Sequence, residues 1–81
     1  MAAKGLLKIR TPGVPSKVEG EAICLIRHTG HHGIHYEIIR GKVVAEAGEQ
    51  DDQGVITFKF GSPAEQDEAA EYFRRVGGVV E

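Results

Sequence analysis

The segment Ser62–Val76 limits what this chain can fold into more than any other stretch. Ser62 is a good N-cap residue, Pro63 suits the first helical position, and Glu65 stands three residues beyond Ser62, so a capping box is available. Ala69, Tyr72, Phe73 and Val76 then recur at i, i+3, i+4 and i+7, the spacing of one apolar stripe. Glu65, Asp67 and Glu68 fall near the positive end, Arg74 and Arg75 near the negative end, and Gly77 offers a left-handed stop. The spacing predicts a helix over Pro63–Val76. A helix with a single apolar stripe needs a partner layer, and the rest of the chain is written at the period of strands.

Five segments carry that period. Lys4–Arg10 places Leu7 and Ile9 on one face and Leu6, Lys8 and Arg10 on the other. The next predicted strand, Glu21–His28, sets Ala22, Cys24, Ile26 and His28 against Ile23, Leu25 and Arg27, with Cys24 read as a small core residue. Ile34–Arg40, Val43–Ala47 and Val55–Phe60 follow. The last has the clearest sides: Ile56, Phe58 and Phe60 read as buried, and Val55, Thr57 and Lys59 as their opposites. Pro12, Gly13 and Pro15 take Thr11–Ser16 out of the ladder. Thr29–Gly33, Gly41-Lys42 and the acidic stretch Gly48–Gly54 supply turns. Val79-Val80-Glu81 either adds a short strand after a helical crossover or ends loosely. The expected fold is α+β: a largely antiparallel sheet of four to five strands, flat or strongly curved, with one C-terminal amphipathic helix packed on it.

Size and composition set limits. The 81 residues make a single domain, 1–81, with a thin core. Apolar residues at 41% and charged residues at 27% argue for a folded globule over disorder. The apolar run Ala22–Ile26 is far too short to span a membrane, and Met1–Gly5 lacks the apolar stretch of a signal peptide. With one cysteine there is no internal disulfide, and a cytoplasmic protein is the simplest reading. Residues 1–44 carry seven basic and three acidic groups, residues 45–81 three basic and nine acidic, an asymmetry that favours contacts between copies. Asparagine is absent and glutamate outnumbers aspartate nine to three, which fits a thermophilic source.

All four histidines fall within eight residues: His28, His31, His32 and His35. Neutral imidazoles are ligands for zinc, nickel or copper, so this hairpin is the candidate metal site, with Glu37 or Glu21 to add an oxygen or orient a ring. No thiolate partner and no helical register supports it, and the competing reading is an exposed tip shaped by Gly30 and Gly33.

Catalytic pairings are weaker. Cys24 and His28 share a strand face but stand roughly 13 Å apart, too far for proton transfer. His35 and Glu37, two residues apart on one face, have no direct hydrogen-bond reach either. The glycines match no phosphate-binding loop, and carboxylates crowd the predicted helix start.

Lys8, Arg10, Arg27 and Lys59 are the candidate nucleic-acid contacts, as cations of an open sheet face with Tyr36 or His35 available for stacking. The chain's net charge of −2 and its few aromatics count against that reading. Leu6, Ile23, Leu25, Ile39 and Val55 lie opposite the preferred core sets, which would leave the open side of the sheet too apolar for water. A homodimer, a second layer or a closed barrel would cover it. The function expected on these grounds is a small non-enzymatic interaction module that self-associates, a dimer by preference, with a protein partner, no membrane contact and no cofactor.

Overall fold

A computed structural model describes residues 5–11 and 14–81. Lys4, expected to open the first strand, and Pro12 and Gly13 of the loop after it lie outside the described residues. The strands are β1 (Leu6–Arg10), β2 (Cys24–Gly30), β3 (Gly33–Ile39), β4 (Val43–Ala47), β5 (Val55–Phe60) and β6 (Val79–Val80), with α1 (Pro63–Arg75) between β5 and β6. They form one sheet in the order β2-β3-β4-β5-β1-β6, and every pairing is antiparallel.

The sheet therefore has six strands, not four or five. It is open: β2 and β6 are its two edges, so it does not close into a barrel. The extra strand comes from the tail. Val79 and Val80 pair with Arg10 and Ile9 of β1, which already pairs with β5. β5 and β6 thus run parallel on either side of β1, and α1 is the crossover between them.

α1 ends as its sequence dictates. Gly77 takes φ 97°, the N–H of Gly78 donates to the Phe73 carbonyl at 2.7 Å, and that of Val76 to the Tyr72 carbonyl at 3.0 Å. The glycine admits the left-handed turn that closes these last bonds. The start differs from expectation: Ser62 makes no side-chain cap bond. Instead Gln66 binds β1, its Oε1 accepting from the Gly5 N–H at 2.9 Å and its Nε2 donating to the Leu6 carbonyl at 2.8 Å.

One face of the sheet is packed. Leu7 and Ile9 of β1 lie opposite Phe58 and Ile56 of β5, and all four are buried with Phe60 against Ala69, Ala70, Tyr72 and Phe73 of α1. The register carries this side across Ala45, Ile38 and Leu25, each buried, so Ile23 and Leu25 belong to the core and Cys24 and Ile26 do not. That reverses the expected sides of β2. Both sides of this strand are apolar, and only its register with β3 (Leu25 opposite Ile38, Arg27 opposite Tyr36) selects the inner one. The strand also begins at Cys24, not Glu21: the preceding residues turn away, with Glu21 gripped by Arg75 of α1 at 2.8 and 3.2 Å. Among the described residues no helix is long and apolar enough to cross a membrane.

Candidate interaction face and histidine pair

The side of the sheet away from α1 is covered by no other element among the described residues. Its composition follows from register alone, since directly opposed residues of antiparallel strands share a face. One row crosses five of the six strands: Ile26 opposes Glu37, Glu37 opposes Glu46, Glu46 opposes Lys59, and Lys59 opposes Leu6. To one side of this row lie Cys24, Ile39 and Val43; to the other lie His28, His35, Thr57 and Lys8.

The apolar members are open to different degrees. Cys24, Ile26 and Ile39 are half-buried, while Leu6 and Val43 are exposed at 37% and 45%. At the end near Gly61 the β4–β5 ladder is short, holding only two residue pairs, and Ile39 opposes Val43 with Val44 bulged between. Val43, Val44, Lys59 and Phe60 there line an open groove of about 540 Å³.

The charges are sorted. Glu37 and Glu46 lie on the central strands β3 and β4, whereas Lys59, Lys8 and Arg10 lie on β5 and β1. Arg10 is offset by Glu81, at 3.8 Å. Asp51 stands beyond the end of β5, its carboxylate accepting from the N–H groups of Val55 (2.9 Å) and Gln53 (2.8 Å). Those two bonds hold its pKa below the ordinary aspartate value, with desolvation opposing and the nearby Arg10 and Lys8 adding to the shift. Two like charges directly opposed, as Glu37 and Glu46 are, destabilise a sheet unless compensated. Lys59 stands opposite Glu46, and His28 lies within hydrogen-bond distance of Glu37.

His28 and His35 face each other across β2 and β3, their rings stacked at 4.7 Å between centroids and 12° between planes. His28 Nε2 lies 2.7 Å from Glu37 Oε1. The other two histidines stand apart. His31 and His32 are the exposed loop of the hairpin, between the opposed Gly30 and Gly33. Gly33 has φ 102°, and a Cβ there would collide with the Glu49 carboxylate that accepts from the Ile34 N–H at 3.2 Å. The set considered for zinc, nickel or copper is thus divided into a stacked pair and a tip. Among the described residues no three histidine, cysteine, aspartate or glutamate side chains come together around a metal position.

The four candidate nucleic-acid contacts divide as well. Lys8, Arg10 and Lys59 share the open face, but Arg27 opposes Tyr36 on the other side, beside a shallow cleft shared with Leu25 and Gln50. Glu46 was not singled out from sequence, because its place beside Lys59 depends on a β4–β5 pairing that only two residue pairs define. Compared with models of protein families, with curated proteins and with solved structures, the chain matches none.

Proposed function

We propose that this domain is a small self-associating interaction module and that the open face of its sheet is the contact surface. The supporting observation is an uncovered six-stranded sheet face that presents Cys24, Ile26, Ile39, Val43 and Leu6 in one field with sorted charges. Apolar side chains on a sheet gain by leaving water, at roughly 25 cal/mol per Å² buried, and sheets pack face to face at about 10 Å with their strands nearly aligned. A second copy of the chain supplies such a layer by symmetry. The proposal assigns no catalysis.

The test is sedimentation equilibrium of the untagged protein from low micromolar to submillimolar concentration. A dimer is expected, and Ile39→Lys with Val43→Lys should give a monomer of unchanged circular dichroism. A wild-type protein that stays monomeric throughout this range would remove the proposal. Single-stranded nucleic acid is the second reading, supported by the basic half formed by Lys8, Arg10 and Lys59. It requires binding that weakens steeply as salt rises, and Glu37 and Glu46 on the same face count against it.

A further inference from the structure

The charge pattern of the open face chooses among the ways two copies could stack. Numbered across the sheet, the order β2-β3-β4-β5-β1-β6 has its midline between β4 and β5. Acidic Glu37 and Glu46 lie on one side of that line, and basic Lys59 and Lys8 on the other. Two face-to-face copies with aligned strands are related by a twofold axis either parallel or perpendicular to the strands. A perpendicular axis keeps each strand over its own counterpart, so the acidic half meets the acidic half. A parallel axis exchanges the halves: β4 lies over the partner's β5, and β3 over the partner's β1.

We infer that the domain dimerises face to face about an axis parallel to the strands, with Glu46 of each copy paired to the partner's Lys59. This inference rests on the self-association proposed above and adds its geometry. Glu46 and Lys59 lie in the same cross-sheet row, so the exchange sets them at the same height and forms the pair twice. The same operation brings Leu6 over the partner's Glu37 in that same row, and Lys8 over the partner's His35 in the row beside it. Exposed ion pairs add little affinity each, and their larger effect is to exclude wrong arrangements and fix register. The apolar positions provide the attraction and the charges select the orientation. The groups around the acidic half are His28 and His35 on β2 and β3, and the groups around the basic half are Arg10 with Glu81, and Asp51.

Charge reversal tests this geometry. Glu46→Lys alone and Lys59→Glu alone should each weaken self-association about tenfold, because both symmetric pairs become repulsive. Mixing the two variants should then yield a heterodimer at least as tight as the wild-type homodimer, and the chain carrying both substitutions should dimerise like wild type. Heterodimer formation also shows that each single variant is folded, and circular dichroism of each variant alone checks this separately. The inference is overturned if the wild type dimerises but the mixed variants do not, or if each single variant dimerises as tightly as the wild type, as the perpendicular axis predicts, because that axis sets residue 46 over itself and leaves a like-charge pair whichever sign it carries. A wild type that never dimerises would instead remove the underlying proposal of self-association.

Discussion

Gln66 of α1 and Gly5 at the start of β1 are joined by a hydrogen bond of 2.9 Å, and the same side-chain amide donates to the Leu6 carbonyl at 2.8 Å. One residue thus anchors the first turn of α1 to β1, an interior strand of the sheet. Gln66→Ala removes both bonds and strands a part-buried backbone N–H, which costs about 1–3 kcal/mol. The urea midpoint should fall accordingly, and Gln66→Glu, which keeps an acceptor but loses the donor, should also be destabilised. An unchanged midpoint for Gln66→Ala would show that the amide contributes nothing.

Tyr72 is fully buried, and its hydroxyl has no hydrogen-bond partner among the described residues. Burial pushes its pKa above the ordinary tyrosine value, with Cys24 and Glu21 adding to the shift and Arg75 opposing it. Tyr72→Phe keeps the ring and its edge-to-face packing on Phe73 (5.0 Å between centroids) while removing the unpaired hydroxyl. Stability should rise by about 1 kcal/mol. Tyr72→Ala should instead cost about 3–5 kcal/mol, the usual loss for an emptied aromatic core site. Denaturant melts of the two variants should move in opposite directions.

The left-handed turn after α1 predicts a glycine requirement. Gly77→Ala places a Cβ on a residue at φ 97° and should cost roughly 1–2 kcal/mol. Thermal melting should show the loss, whereas Ala64→Gly at the exposed helix start should cost less.

Acid should weaken the fold through two carboxylates. Glu21 is held below the ordinary glutamate value by its hydrogen bond to Arg75, and Asp51 below the aspartate value by the Val55 and Gln53 N–H groups. Both folded pKa values are depressed, so their stabilisation is complete above the unfolded values and is lost as pH falls through the folded ones. Urea midpoints should therefore be level near neutrality and drop below the ordinary carboxylate range. Asp51→Asn and Glu21→Gln should each lower the neutral midpoint and flatten the acid limb. A steep acid limb in the double variant would assign the effect to other groups.

Local chemistry made much of this protein legible. β4 and β5 span the segments their alternation predicts, α1 stops one residue short of the predicted end, and Ala69, Tyr72 and Phe73 are its buried stripe. Each of these depends on near neighbours: Pro63 and Gly77 punctuate the helix, and in β5 only one side carries the aromatics. Where both sides of a strand are apolar, as with Ile23 and Leu25 against Cys24 and Ile26, composition could not choose. That choice was made by β3 and its partners in the tertiary fold. The insertion of β1 between β5 and β6, the separation of Arg27 from Lys8, and the row from Ile26 to Leu6 have the same origin. Alternation specifies which side chains travel together, but long-range pairing alone decides which side meets the helix and which charges become neighbours.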